Sequence, residues 1–223
     1  MSASGNSHPY VILNAAMSLD GKVATYTGDS RMSSLTDLRR VHRLRASVDG
    51  IMVGMRTLIR DDPRLTVRFA RGHKPRRIIV DSKAQTPLNS YVVRTAQEFP
   101  TIVAVTSRAP KNRIEILQRR GVTVLVCGKG PLVSVKILLQ TLGKLGIRKI
   151  LLEGGGTLNW SMLSSGLVNE VSVAITPRIL GGEKAVTLVE GKGSPLVTDG
   201  VKLKLINTAK YGPDLVVRYE VLG

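Results

Sequence analysis

The chain has 223 residues, with 33 Lys and Arg against 16 Asp and Glu for a net charge of +17, a length that supports one sizeable domain whose core needs neither disulfides nor metals. Its single cysteine, Cys127, excludes an internal disulfide and any multi-cysteine zinc site, and reads as a small core residue at a strand end. No apolar run is long enough to span a bilayer, and Met1 to His8 show neither a charged leader nor a hydrophobic segment, so a flexible N-terminus over 1–9 and a cytoplasmic domain over 10–223 are expected.

In chain order, Tyr10 to Met17 is apolar and β-prone and reads as a buried first strand, followed by an Asp20-Gly21 turn. A loop from Thr27 to Ser34 delivers a helix from Leu35 to Ala46. In that helix Leu35, Leu38, Val41 and Leu44 have helical spacing, and Arg39, Arg40 and Arg43 fall mainly on other faces. Val48 to Gly54 is a second buried strand, and Thr57 to Arg60 a short helix. The chain breaks at Asp61-Asp62-Pro63, because proline disfavours a helical residue before it, and Arg64 to Arg68 reads as extended. Strands follow at Arg77 to Asp81, Thr101 to Val105 and Val122 to Val126, the last preceded by a helix over Asn112 to Arg120 that stops at Gly121. Leu132 to Leu145 is a further helix leading to a strand at Arg148 to Glu153. This alternation implies a mostly parallel central sheet flanked by helices. After Glu170 the rhythm changes to alternating strands at Glu170 to Ile175, Val201 to Leu205 and Leu215 to Val221, with a turn at Gly212-Pro213-Asp214. The fold class is a single α/β domain with a mixed sheet and antiparallel C-terminal strands.

The stretch from Ile150 to Trp160 is the most informative. A short apolar strand ends in Glu153, Gly154, Gly155 and Gly156 supply the turn, and Thr157 is placed to cap a helix that carries Leu158, Met162 and Leu163 inward. Exposed N–H groups at such a helix start favour a phosphate or pyrophosphate, although the same pattern also serves packing alone. No Lys-Ser/Thr pair makes it a P-loop, and Asn159 stands where a dinucleotide fingerprint has its last glycine.

The positive charge raises nucleic-acid binding as an alternative from another class. The cations are scattered along the chain, however, and two Phe and one Trp make a poor stacking platform. An anionic small molecule and solvated surface account for the charge as well.

Four separated motifs, Ser18-Leu19-Asp20-Gly21-Lys22, Asp61 to Arg68, Ile79-Val80-Asp81-Ser82 and Glu153 to Thr157, together resemble the signature set of the riboflavin-biosynthesis reductases, from about Tyr10 to Val221. The resemblance implies a dihydrofolate-reductase-like fold and NADPH-dependent reduction of the ribosylamino group of 2,5-diamino-6-ribosylamino-4(3H)-pyrimidinone 5′-phosphate to ribitylamino. NADH remains open as the donor. The bifunctional members join this domain to a zinc deaminase, whose ligands a chain with one cysteine cannot supply, and place Lys where this chain has Asn14. The free-standing archaeal-type members are the better match and imply the still-aminated substrate. A reductase of the deaminated pyrimidine, or of a pterin or folate, is the alternative within enzymes.

By the same resemblance Ala16, Met32, Thr57, Asp61, Ser82, Gly154, Gly155, Gly156 and Thr157 match cofactor contacts. Ser30, Arg45, Leu65, Arg68 and Glu153 match substrate contacts, with Asn14 taking part in discriminating the pyrimidine. Each residue has a plainer reading: Thr57 as a helix cap, Asp61 as a turn residue before proline, Ser82 and Lys83 as surface residues instead of an adenosine 2′-phosphate seat, and Arg45 as a solvated helix residue. Glu153, at the end of an apolar strand, either binds polar groups of the pyrimidine or caps backbone donors, since an unpaired charge there is costly. Opening of the sugar ring needs a proton donor, for which Asp20 and Lys22 are the candidates, and no metal is expected. The resemblance also implies a homodimer.

Overall fold

The computed structural model describes residues 8–72 and 74–222; of the N-terminus expected to be flexible, residues 1–7 lie outside the described part. The first strands are β1 (Tyr10–Ser18) and β2 (Lys22–Ala24), followed by α1 (Leu35–Ala46), β3 (Gly50–Gly54) and α2 (Met55–Asp61). Next come β4 (Arg76–Val80), α3 (Tyr91–Arg94), β5 (Thr101–Val105), α4 (Lys111–Arg119), β6 (Thr123–Val126), α5 (Val135–Lys144) and β7 (Lys149–Leu152). The chain continues through α6 (Gly156–Leu163), β8 (Glu170–Thr176), β9 (Val186–Thr187), β10 (Leu203–Tyr211) and β11 (Asp214–Val221).

The described residues divide into two compact units, one of residues 8–10, 48–65 and 74–150, the other of 11–47, 66–72 and 151–222. In the first unit the hydrogen-bonded strand order is β3-β4-β5-β6. The pairs β3–β4, β4–β5 and β5–β6 are parallel, with Val53 opposite Ile79 and Ile79 opposite Val103. Every residue of β5 is buried, as expected of a parallel strand covered on both faces.

Arg77 is fully buried in this unit. Its guanidinium donates to the Thr101 and Thr95 hydroxyls and to the carbonyls of Val92, Thr95 and Phe99. Burial pulls its pKa down to about 10, with nearby Tyr91 and Glu98 opposing the shift. This bonding fixes α3, a single turn that the sequence pattern does not announce.

In the second unit the order is β10-β11-β8-β1. β1 and β8 run parallel, Asn14 opposite Ser172 and Ala16 opposite Ala174, while β8–β11 and β11–β10 are antiparallel. The mixed sheet and its antiparallel C-terminal strands are therefore as the sequence implies. Two details differ. β8 is buried on both faces in spite of its alternating sequence, and the strand expected at Val201 starts at Leu203 and runs to Tyr211, largely exposed. A small β2–β9 ladder, with Lys22 opposite Thr187, was not apparent in the sequence.

Helix α1 has the expected limits, with the Ser34 hydroxyl accepting from Asp37 N at its start. Its buried face is different. Leu35 is 73 % exposed, whereas Asp37 and Arg40 are buried and paired at 2.6 Å. Arg40 further donates to Asn14 Oδ1 at 3.0 Å and Ser172 Oγ at 3.1 Å, and lies 5.9 Å from the Tyr211 ring centroid. The polar partners on β1 and β8 decide which face turns inward.

Candidate active site

Glu153 directly follows β7, and Arg45 comes from the last turn of α1. Arg45 Nε and Nη2 donate to the two Glu153 carboxylate oxygens at 2.8 and 2.7 Å, and Nη1 donates to the Thr66 carbonyl at 3.2 Å. Both side chains are mostly covered, at 14 % and 13 % exposure. Burial opposes the charge on Arg45, yet the Glu153 carboxylate outweighs it and raises the arginine pKa. Glu153 thus has a cation as its partner, which answers the cost expected of a charge at a strand end.

His42, one helical turn before Arg45, accepts from Arg68 N at 2.9 Å through Nδ1 and meets Phe69 edge-on at 4.7 Å. Burial, reinforced by the Arg45 and Arg68 charges and opposed by Glu153, lowers its pKa to about 4. His42 therefore holds the Thr66–Phe69 segment as a neutral imidazole. The sequence reading passed over it, although its position three residues before Arg45 on α1 was the available signal. Arg68 presents its guanidinium 5.4 Å from the Phe69 centroid. Leu65, in the other unit, is buried with φ +50°, so the stretch expected to be extended turns there.

Asn14 is buried and its carboxamide oxygen is taken by Arg40, so it belongs to the α1 network. Ala16 lies in the same strand. Ser30 and Met32 sit in the loop before α1, with Met32 N donating to Ser30 O and Arg178 Nη1 to Met32 O.

At the Ser18–Lys22 turn, Asp20 accepts from the Ser18 hydroxyl at 2.6 Å and from Leu180 N and Gly181 N at 3.0 and 2.7 Å. Those donors, the Ser18 hydroxyl first, lower its pKa to about 2. Through these bonds Asp20 fastens the Leu180–Gly181 segment. Lys22 is half-buried at the start of β2, its amide donating to Ser18 Oγ at 3.0 Å.

The Gly154–Thr157 turn is partly a packing device. A side chain at Gly156 would meet Glu190 Cγ at 2.7 Å and Thr187 O at 3.0 Å, so the third glycine admits the 187–190 segment. Gly154 is different: its φ of +99° favours glycine, and only the Asn159 side chain lies near. Thr157 does not cap α6. The cap position is Gly155 and Thr157 is exposed in the first turn, so the helix start keeps backbone donors without a side-chain acceptor.

In the first unit, Thr57 lies within α2 and is not its cap, which is Gly54. Asp61 pairs with Arg60 at 2.7 Å, and the neighbouring Asp62 accepts from Tyr91 N at 2.8 Å. Ser82 follows β4 and accepts from Val133 N at 3.0 Å. Beside it Asp81, unremarked in the sequence except as part of a motif, accepts from Thr86 N and Oγ1 at 2.6 and 2.7 Å and closes the 81–86 turn. Among the described residues there is no His, Cys, Asp and Glu cluster able to hold a metal, and no helix long and apolar enough to cross a membrane.

The model of the RibD C-terminal domain matches residues 9–217. The chain belongs to the RibD C-terminal domain family. It is 49 % identical over 218 residues to a 2,5-diamino-6-ribosylamino-4(3H)-pyrimidinone 5′-phosphate reductase of Methanothermobacter thermautotrophicus, covering 96 % of this chain and 99 % of the relative. A reductase of the same name from Aquifex aeolicus is 41 % identical, with 96 % and 97 % covered. Among solved structures, RibD of Acinetobacter baumannii superimposes with a TM-score of 0.85 at 27 % identity, over 99 % of this chain and 60 % of that longer one. The yeast riboflavin biosynthesis reductase Rib7 gives 0.76 at 25 % identity, over 99 % and 93 %. Membership in the RibD C-terminal domain family bears out the resemblance read from the four motifs.

Proposed function

We propose that this protein reduces the ribosylamino group of 2,5-diamino-6-ribosylamino-4(3H)-pyrimidinone 5′-phosphate to ribitylamino, with NADPH as hydride donor. The observation that carries the reading is the near full-length 49 % identity to the Methanothermobacter reductase of that substrate. Relatives that include a longer chain, such as Actinobacillus pleuropneumoniae RibD, are covered only to 57 %, and the free-standing relatives support the aminated pyrimidine as substrate.

The residues present suit a nicotinamide dinucleotide. Gly154 and the uncapped start of α6 offer backbone N–H groups to a pyrophosphate. The cavity beyond β4 is lined by cations and by no carboxylate. Ala16, Met32, Thr57, Asp61, Ser82 and Gly154 to Thr157 are the residues proposed to hold the cofactor, which when bound supplies a hydride for the sugar C1′. On the substrate, the C1′–O4′ bond breaks as the ring oxygen gains the amine proton and C1′=N forms; hydride at C1′ and a proton at nitrogen complete the reduction.

Arg68 and Ser30 are proposed to hold the substrate with Leu65 and Asn14, and the Arg45–Glu153 pair to fix the polar wall against which it lies. Lys22 is the remaining candidate of the turn for moving a proton, since Asp20 is held ionised. A homodimer in the cytoplasm is part of the proposal. The largely exposed end strand β10 supports association of two copies.

The test is NADPH oxidation with freshly prepared aminated substrate beside its deaminated counterpart. Faster turnover of the aminated compound is the expected result. Preference for the deaminated one leaves the chemistry and overturns the substrate, and reduction of neither overturns the function.

A further inference from the structure

Arg40 takes no part in the chemistry described above, yet it is the centre of a buried polar cluster. Arg40 and Asp37 on α1 have side chains 7 % and 0 % exposed and pair at 2.6 Å. Nη2 of Arg40 donates to Asn14 Oδ1 on β1 at 3.0 Å and Nη1 to Ser172 Oγ on β8 at 3.1 Å, the two acceptors standing opposite each other in the sheet. The Tyr211 ring centroid lies 5.9 Å from the same guanidinium, and all of these residues belong to one compact unit. As a device for stability the cluster is poor. The second oxygen of Asp37 is buried with no hydrogen-bond partner among the described residues, and apolar side chains of similar volume are often at least as stabilising as a buried ion pair. What the cluster does achieve is a fixed Asn14 carboxamide.

A guanidinium has donors and no acceptor, so only the oxygen of an amide can face it; the reversed carboxamide would set N–H against N–H. The oxygen of Asn14 is thereby committed to Arg40, and its NH2 group is turned the other way. Among the described residues that Nδ2 donates to no protein atom, and unlike the second oxygen of Asp37 it is not sealed from solvent. Asn14 also stands where β1 opens, since Val11 to Asn14 are buried and Ala15 to Met17 only half-buried. Ala16 shares the face of Asn14 by the alternation of the strand. About one and a half turns further along α1, Arg45 holds Glu153. One helix therefore fixes both an N–H donor and a guanidinium–carboxylate pair in the second unit.

We propose that Arg40 is a positioning residue for substrate choice: it locks the Asn14 NH2 outward, and this fixed donor reads ring nitrogen N1 of the pyrimidine. The choice of ligand rests on the reductase reading. In the aminated 4(3H)-pyrimidinone N3 carries the hydrogen, and N1, next to the carbon that bears the ribosylamino group, is a bare acceptor. Deamination at C2 gives a 2,4-dione in which N1 carries a hydrogen as well. The locked donor then faces a donor, and both groups are left unpaired, which costs more than a good contact gains. A carboxamide free to flip would offer its oxygen to that N1–H and accept both compounds, so discrimination needs Arg40 as well as Asn14.

The test is the ratio of kcat/KM for the aminated over the deaminated compound, with NADPH, for the full chain, for Asn14→Asp and for the Asp37→Leu/Arg40→Met double variant. A ratio taken on one preparation does not depend on the fraction of folded enzyme, so a merely structural role leaves it unmoved. The parent is expected to favour the aminated compound by at least about tenfold. Asn14→Asp keeps an oxygen on Arg40 and turns a second one outward in place of the NH2, and the preference is expected to pass to the deaminated compound. The double variant removes both buried charges and frees the carboxamide, and its ratio is expected to lie within about threefold of one. Thermal melting checks the fold of each variant; if the double variant does not fold, Asn14→Asp, which keeps Arg40 and both its acidic and amide-site partners, decides alone. A parent that does not prefer the aminated compound, an Asn14→Asp ratio within about threefold of the parent's, or an unchanged ratio in a folded double variant overturns the proposal and leaves the reductase reading in place. Reduction of neither compound by the parent sinks both.

Discussion

Arg45 and Glu153, 108 residues apart in the chain, form a two-pronged ion pair, both carboxylate oxygens being engaged by the one guanidinium. The pair ties the end of α1 to the end of β7, and the third donor of Arg45 reaches Thr66. Removing one partner leaves the other charged and mostly covered. Arg45→Met or Glu153→Leu alone is expected to cost about 2–4 kcal/mol, and the double substitution much less than the sum. A double-mutant cycle by urea denaturation measures the coupling; additive losses would show that the contact contributes nothing.

The pH dependence of stability is expected to follow His42. Its pKa in the fold is lowered to about 4, against about 6.5 in the unfolded chain. The unfolded state therefore takes up the proton first as pH falls. Stability is intact above about pH 6.5 and is lost progressively down to about pH 4, of order 1–2 kcal/mol by pH 5. Urea midpoints for the parent and for His42→Gln, at pH 7.5 and 5, test this. The variant should lose less stability than the parent over the same interval.

How much of this was legible differs element by element. Helix α1 was readable because Ser34 and the apolar spacing are local, and the β4 and β5 strands because parallel burial leaves continuous apolar runs. The inward turn of Asp37 and Arg40 was not, since it depends on Asn14 and Ser172 in two other strands. Helix α3 was invisible because a four-residue turn carries no periodicity and is fixed by buried Arg77. In the site, the motifs name Arg45 and Glu153 but not their mutual ion pair, and of the two readings open for the glycine turn the packing of Gly156 against Thr187 and Glu190 depends on a segment distant in the chain.

Replacing Asp20 separates loop anchoring from proton transfer. A general acid contributes about 10²–10⁴-fold to turnover, whereas Asp20 is already ionised and bonded to the Leu180 and Gly181 amides. Asp20→Asn is expected to keep turnover within about tenfold of the parent. The acidic limb of its pH–rate profile should stay in place, while the 177–184 segment becomes easier to cleave by protease. A loss of about 10²-fold or more with the acidic limb moved would return the proton to Asp20.

Arg77→Met removes a buried charge together with the partners of three carbonyls and two hydroxyls. The apolar side chain can occupy the space but supplies none of these bonds; Thr101 Oγ1 still reaches Val92 O and Phe99 O, and Thr95 O still accepts from Glu98 N and Phe99 N, so about 1–3 kcal/mol of stability is expected to go. Arg77→Lys recovers only part, because one ammonium cannot span the same spread of acceptors. Chemical denaturation gives the ranking parent, Lys, Met; a Met variant as stable as the parent would show the network to be dispensable.

β10 closes the strand order of the second unit and exposes Leu203, Leu205 and Ile206 at 43 %, 54 % and 47 %. The pairing with β11 shifts register between Leu205 and Asn207, which leaves Ile206 as the extra residue of an irregularity at this edge. A long apolar edge invites pairing with another chain, and Lys202, Lys204 and Lys210 bias it against indiscriminate partners. If two copies associate here, a charge at the most exposed of these positions must be desolvated and the dimer weakens. Leu205→Glu is expected to shift the protein from dimer to monomer in size-exclusion chromatography with light scattering, with the melting temperature of the monomer near that of the parent at high dilution. A dimer that survives both Leu205→Glu and Ile206→Glu places the interface on another surface, and β10 is then protected by its lysines alone.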